Sequence, residues 1–453
     1  MKKAYPTYKE TDLPWLKEVP NGWDVERAKY VFDYIDERSE SGEETLLSVS
    51  EHHGVIPRAQ AKVTMFKAES YVGYKLCSPG DLVINSLWAW SRGLGFSEHR
   101  GIISTAYDVF RLKSPEKFDY RYFNYLLRTN QYVGEYICRS KGIWISRLQL
   151  GTGAFREIPI LLPSPEEQRQ IAAYLDHKCA LIDTFIAKKK RLIELLQEQK
   201  QAIINQAVTR GIDSDVALKP SGVDWLGDIP AHWEVKKLKY FSEIKGRIGF
   251  RGYTTDDLVP KGQGALTLGA THITSDGKVN LETPVFISWE KYYESPEIMV
   301  QTGDLLIVQR GSTCGKVGLI ENDIGPTTIN PSLVLIKNIK SSSGYLLYYL
   351  QGALNDILNL VSSTAIPMLS QTQIGNIIIA LPPHSEQYSI LSHIRKETGI
   401  VDETIERIKA EITLIQEYKT TLIAEAVTGK IDVRDWQPEE NADIPENLKT
   451  VMS

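Results

Sequence analysis

The chain has 453 residues, 42% of them hydrophobic and 24% charged, which is enough to bury more than one core and excludes large-scale disorder. A formal net charge of -5 excludes a protein that coats nucleic acid through bulk positive charge, since such proteins neutralise phosphates with a basic surface. Four dispersed cysteines, Cys77, Cys138, Cys179 and Cys314, form no Cys-x-x-Cys pair, so neither a zinc site nor a disulfide framework is expected.

In chain order, residues 1–161 open without an apolar core followed by a small-residue cleavage site, and no apolar run approaches the ~20 residues of a membrane helix. A cytoplasmic protein is expected. This first segment mixes short strand-like runs with turns, including Gly80-Asp81-Leu82-Val83-Ile84, a short helix near Phe123 to Leu127, and the strand Ile158 to Leu162.

Residues 162–213 then read as a long helix. From Glu166 to about Thr209 there is no glycine or proline, and Leu175, Cys179, Ile182, Ile186, Ile193, Leu196, Ile203 and Ala207 form a heptad seam. Pro163 and Pro165 mark its start, Glu167 lies in the first turn where a carboxylate favours the helix dipole, and Gly211 is a stop signal.

The chain then says the same thing again. Trp15-Leu16, Pro20, Trp23, Val25 and Lys29-Tyr30 recur as Trp225-Leu226, Pro230, Trp233, Val235 and Lys239-Tyr240. Residues 214–380 repeat the landmarks of the first segment, with Gly303-Asp304-Leu305-Leu306-Ile307, a helix near Leu346 to Leu350 and the strand Ile377 to Leu381. Residues 381–432 align without a gap onto 162–213 at a constant shift of 219, about a third of the positions being identical. The second seam is Ile394, Thr398, Val401, Ile405, Ile408, Ile412, Ile415, Leu422 and Ala426, and Lys200 and Lys419 occupy the same seam position in each helix, where a polar residue sets register. Because both seams lie in one chain, the simplest packing is an intramolecular antiparallel coiled coil, with a helix of ~44 residues spanning on the order of 65 Å. The expected fold is α+β: two pseudo-symmetric globular domains joined by two long helices. Residues 433–453 form an acidic tail without periodicity, expected to be unstructured or to touch a partner.

Negative charge concentrates in the second long helix and the tail, leaving both globular segments near neutral and free to carry a basic face. Between shared landmarks the copies diverge: Asn85 to Gly93, with Trp88, Trp90 and Arg92, stands where the second copy has Val308 to Lys316. The same scaffold position carries different chemistry. Arg and Lys donate to guanine edges and phosphates, and Gln pairs with adenine. The DNA-binding candidates are therefore His52, Arg58, Trp90, Arg92, Trp144 and Arg147 in the first copy and Lys245, Arg247, Arg251, Gln309, Arg310 and Lys316 in the second.

No catalytic motif accompanies them. There is no phosphate-binding glycine loop, dinucleotide fingerprint or His-Glu-x-x-His. Asn330-Pro331-Ser332 departs from the Asn-Pro-Pro-aromatic motif of amino-methyltransferases, lacking the second proline and the aromatic.

The run Trp225-Leu226-Gly227-Asp228-Ile229-Pro230-Ala231-His232-Trp233-Glu234-Val235, the transitions Leu162-Pro163 through Glu167-Gln168 and Leu381-Pro382 through Glu386-Gln387, and the duplicated layout resemble the specificity subunit of type I restriction-modification enzymes. Leu47 to Ser50, Gly54 to Arg58 and Arg247 to Gly252 resemble recognition-domain variants of that family. The resemblance implies a non-catalytic adaptor: two target recognition domains each read half of a split double-stranded DNA sequence, and the paired helices set the gap. It implies two adenine methyltransferase subunits, which flip and methylate adenine at N6 with S-adenosylmethionine, and two motor-nuclease subunits using ATP and Mg2+. Those cofactors belong to the partners, and this chain is expected to hold none and no metal. A stand-alone coiled-coil interaction adaptor without DNA binding is the main rival, and an unfamiliar enzyme acting alone is the other.

Overall fold

The computed structural model describes residues 3–51, 54–61, 68–247, 252–361 and 368–438. They fall into two units, one within residues 1–190 and 409–453 and the other within 191–408. Each unit takes one globular segment, one half of the first long helix (Pro165–Arg210) and one half of the second (His384–Val427).

Unit one is built on a four-stranded antiparallel sheet in the order Phe32–Ile35, Tyr107–Leu112, Leu82–Asn85, Leu94–Phe96. The Gly-Asp landmark is the turn into its central strand. Gly80 sits at φ 87°, and the buried Asp81 carboxylate accepts the Ser78 N–H at 2.9 Å and pairs with Arg111 at 2.7 Å. One face of the sheet packs Val83 and Val109 against Leu47 and Val55 of a small hairpin and against Cys77 and Ile103 of a separate strand pair, Lys75–Cys77 with Gly101–Ile103. A separate strand pair, Asp24–Arg27 with Pro159–Leu162, delivers the chain to the first long helix.

That delivery is clasped by side chains. Glu167, in the first helical turn, accepts the Trp23 indole N–H at 3.0 Å and the Tyr5 hydroxyl at 2.5 Å. Gln168, almost wholly buried, donates to the Pro163 carbonyl and accepts the Asp119 N–H, both at 2.9 Å. The Tyr122 hydroxyl reaches the carbonyls of Leu161, before the first long helix, and Val427, at the end of the second. Gly429 follows at φ 76°, where a β-carbon would run into Pro20.

Unit two repeats the main parts of this construction. Its main sheet runs Glu243–Gly246, Leu333–Lys337, Leu305–Val308, Val317–Leu319, entered through Gly303 at φ 91°. Strand Glu234–Lys237 pairs with Ile378–Leu381 ahead of the second long helix. Glu386 accepts the Trp233 indole N–H at 3.0 Å and lies 2.7 Å from His232 Nε2. Gln387 donates to the Pro382 carbonyl at 2.9 Å and accepts the Ser342 N–H at 2.8 Å. Tyr345 reaches the carbonyls of Ala380 and Val208 at 2.7 and 3.0 Å, and Gly211 turns at φ 78° beside Trp233. What differs is the cover over the sheet, here a second four-stranded sheet of Leu258–Val259, Val285–Ser288, Gly264–Leu268 and Thr327–Ile329. Leu305 and Ile307 face the cluster containing Trp233, Ala207 and Val208, while Leu306 and Val308 face Leu266, Leu268 and Ile329. Burial on both faces explains why this strand reads as a continuous apolar run.

The helices pair antiparallel within each unit. In unit one Asp183 meets Lys419 at 2.7 Å and Lys189 meets Glu411 at 2.7 Å, so residue numbers rise on one helix as they fall on the other. In unit two Lys200 meets Asp402 at 2.6 Å, and Ile204, Ala207 and Val208 share a core with Ile390 and Ile394. The two lysines assigned to register thus each find an aspartate, and the aspartates are themselves equivalent in the repeat. Such half-exposed pairs contribute at most about 1 kcal/mol each, so their effect is on register. Leu175, Ile182, Ile186, Ile394, Val401, Ile405, Ile412, Ile415 and Leu422 are buried as the heptads require. Ile193, Leu196 and Ile203 are only half-buried, and Ile204 and Val208 take the inward positions, because the last turns dock beneath the unit-two sheet. The tail also departs from expectation at its start. Val433 is buried, Arg434 lies 5.0 Å over the Tyr5 ring and pairs with Asp432, and Trp436 packs on Tyr174 and His177. The rest of the acidic tail lies outside the described residues.

Replacing Trp233 by alanine opens a large void at the clasp and is expected to cost about 3–5 kcal/mol in urea unfolding, whereas Trp233→Phe, which loses chiefly the N–H bond, costs about half as much. A cost below about 1 kcal/mol for Trp233→Ala would contradict this account of the clasp.

Candidate nucleic-acid interface

The variable hairpin of unit one connects strands Leu82–Asn85 and Leu94–Phe96. Trp88 is 56% exposed and stacks on Trp90 at 5.9 Å, and the Trp90 indole N–H is tied to the Leu87 carbonyl at 2.9 Å. Arg92 adopts a left-handed φ of 57° and braces the loop, donating to the Arg128 carbonyl at 3.0 Å and to Asn130. A second loop lies alongside, because Leu150 donates its N–H to the Ser86 carbonyl at 2.9 Å. It exposes Trp144 and Arg147. Arg58 sits half-buried on a short 3-10 turn after strand Gly54–Pro57, its N–H bonded to the Leu46 carbonyl.

Unit two builds its hairpin at the same place, between Leu305–Val308 and Val317–Leu319, with Gly311 and Gly315 at φ 97° and 92°. Gln309 donates to the Pro331 carbonyl at 2.7 Å, and Arg310 donates to the same oxygen at 2.6 and 3.0 Å. The Leu369 N–H bonds the Gln309 carbonyl at 2.8 Å, the counterpart of the bond between Leu150 and Ser86. Lys316, half-buried, closes the loop through its backbone N–H to Thr313. The Asn330-Pro331-Ser332 tripeptide is therefore a prop for this loop: Asn330 Oδ1 accepts the Ser332 N–H and hydroxyl, leaving the Pro331 carbonyl to the hairpin.

Lys245 lies on strand Glu243–Gly246 beside Glu243, at 3.3 Å. Arg247 is not at the surface. It is 6% exposed, donates to the Ile329 carbonyl at 3.0 Å and Thr328 Oγ1 at 3.1 Å, and burial lowers its pKa from the ordinary arginine value. It ties the two sheets of unit two together. His52 and Arg251 lie outside the described residues.

Exposed side chains that the sequence did not single out include Ile143 and Ile145 beside Trp144, and Tyr293 stacked on Trp289 at 6.1 Å. Among the described residues no group of histidine, cysteine, aspartate and glutamate is placed to hold a metal ion, and the Cys77 and Cys179 thiols are pushed up to about 11 by burial. No helix among them is long and apolar enough to cross a membrane.

The family model for the type I restriction modification DNA specificity domain matches residues 230–414. The specificity subunit of the type I restriction enzyme MjaVIII from Methanocaldococcus jannaschii is 24% identical over 445 residues, covering 94% of this chain and 98% of the relative. The EcoKI specificity subunit of Escherichia coli K12 is 22% identical over 378 residues, covering 81% and 78%. The chain is similar to type I specificity subunits along nearly its whole length. Solved structures agree in fold: a chain from an account of complex assembly in the type I R-M system gives a TM-score of 0.67 at 16% identity, over 91% of this chain and 99% of that one. The HsdS subunit from Thermoanaerobacter tengcongensis gives 0.51 at 17% identity, over 91% and 98%.

Within this chain, the duplicated Glu-Gln dipeptide is explained by the clasp and the helix entry, and the duplicated Trp23 and Trp233 by burial. Tyr30 and Tyr240 are the exception, shared by both copies yet 59% and 67% exposed, each under its preceding lysine.

Arg247→Ala strands two backbone and hydroxyl partners inside unit two and is expected to lower its stability by about 2–4 kcal/mol in chemical denaturation, with Arg247→Lys recovering only part. Wild-type stability in Arg247→Ala would return this residue to the surface candidates.

Proposed function

We propose that this chain reads a bipartite double-stranded DNA target, one half-site per unit, and lends that choice to partner subunits that carry the chemistry. One observation supports it most: the two units share sheet, clasp and helix pairing, yet their hairpins at the same scaffold position present stacked tryptophans in one and Gln309, Arg310 and Lys316 in the other. Shared scaffold suits a shared assembly, and unlike loops suit unlike half-sites. A stand-alone coiled-coil adaptor would have no use for that contrast.

Two DNA adenine methyltransferase subunits and two motor-nuclease subunits are the partners this reading requires. S-adenosylmethionine, ATP and Mg2+ then belong to them, and this chain contributes no catalytic group. The exposed Lys29–Tyr30 and Lys239–Tyr240 pairs, alike in both copies, suit contact with a partner that binds each unit in the same way. The paired helices act as the ruler for the unspecified gap, half-sites on one face of B-DNA lying about 34–36 Å apart per turn.

The assembled methyltransferase complex, offered a random duplex pool, is expected to enrich a split motif. Lys316→Ala should then relax or weaken selection by roughly tenfold in one half-site only, while equal loss in both halves would mean folding damage or general phosphate binding. Removing one heptad from each long helix is expected to change the gap and leave both half-site sequences intact. An altered half-site with an unchanged gap would contradict the ruler role.

A further inference from the structure

The loop between helix Asn130–Arg139 and helix Thr152–Arg156 of unit one holds three adjacent apolar side chains out in solvent: Ile143 is 97%, Trp144 70% and Ile145 58% exposed. Tyr122 and Tyr345 are 223 positions apart and Leu150 and Leu369 are 219 apart, so the first copy carries four extra residues in between.

The loop is constructed rather than loose. Lys141 and Gln149 exchange backbone hydrogen bonds at 3.0 and 2.9 Å across its base, and the Arg147 N–H bonds the Trp144 carbonyl at 2.8 Å. Leu148 and Leu150 are buried and anchor the returning arm, and Gly142 turns at φ 137°, where a β-carbon would come within 2.6 Å of the Arg147 carbonyl. Isolated surface leucines or isoleucines are ordinary, but a fixed apolar tip of three residues needs a partner to cover it. Two exposed cations, Lys141 and Arg147, flank the tip, and the bond between Leu150 and Ser86 ties the loop to the hairpin carrying the stacked Trp88 and Trp90. An apolar point between cations matches duplex DNA, whose base steps accept apolar wedges while its phosphates take the charges.

We propose that the Ile143-Trp144-Ile145 tip is a wedge that enters a groove of the half-site read by unit one and parts a base step, with Lys141 and Arg147 against the flanking phosphates. The proposal rests on the DNA-reading function above. It gives unit one a mode of readout based on how easily a step unstacks, a property that varies with sequence and is greatest at pyrimidine–purine steps.

The test uses the full chain assembled with its methyltransferase partner and duplexes carrying 2-aminopurine at successive positions of both selected half-sites. Apart from the adenine that the methyltransferase subunits flip in each half-site, wild type should raise the fluorescence at one further step, in one half-site only. Trp144→Ala should abolish that rise and weaken specific binding roughly tenfold without changing the salt dependence, whereas Lys141→Ala should reduce the salt slope by about one. Trp144→Phe should restore most of the signal. Wild-type affinity and fluorescence in Trp144→Ala would overturn the wedge, as would loss of a methyltransferase subunit from that variant, which would make the tip a protein-docking surface. A wild-type complex that selects no DNA sequence would overturn the underlying function as well, and that failure shows before any variant is made.

Discussion

In each unit a carboxylate in the first turn of a long helix holds the N–H of a buried indole, Glu167 with Trp23 and Glu386 with Trp233. The bond fixes where the helix leaves its sheet. An indole of this size removes on the order of 150–250 Å2 from water, a contribution of roughly 4–6 kcal/mol at 25 cal/mol per Å2, and it must satisfy its one donor to do so. A carboxylate at the positive end of the helix serves that donor and the helix dipole together. The tyrosine beside it, Tyr122 or Tyr345, then ties the end of the other helix to the same place through one hydroxyl and two carbonyls. Within each unit the start of one long helix and the end of the other are thus anchored by the same small set of residue types.

Once those anchors hold, the rest of each domain is free to differ. The main sheets keep one strand order, but their outer faces are covered by two small strand pairs in unit one and by a second four-stranded sheet in unit two. The hairpin after the central strand is supported from below in both, by Arg92 on Arg128 and Asn130 in one and by the Pro331 carbonyl in the other. Support that depends on a backbone carbonyl or a single brace constrains the tip little. That is how one fold can present stacked indoles in one copy and cationic side chains in the other.

Much of this was legible because the signals were long or repeated. The helices showed as uninterrupted heptads, and the Gly-Asp turns showed because a positive φ at Gly80 and Gly303 needs glycine. The losses have physical causes. Arg247 lies in a glycine-punctuated run that reads as a surface loop, but it follows strand Glu243–Gly246 into the space between two sheets, where its donors find Ile329 and Thr328. Arg92 reads as a free cation because nothing in the sequence announces that Arg128 and Asn130 fold back to meet it. Ile203 fits the heptad, but where the helix end packs under the sheet the buried face widens, so Ile204 and Val208 are buried beside Ala207 while Ile203 is only half-buried. Ile143 and Ile145 escaped notice because apolar residues are assigned to a core by default, and only the fold shows that there is no core around them.

The most direct test of the central claim is made in cells. Co-expression of this chain with its methyltransferase partner, in a host lacking adenine methylation, followed by genome-wide mapping of N6-methyladenine, should reveal one split motif methylated on opposite strands in its two halves, and lost when this chain is omitted. Methylation of a single contiguous motif, or a pattern unchanged by omitting the chain while both proteins are soluble and associated, would contradict the account of two units reading two half-sites.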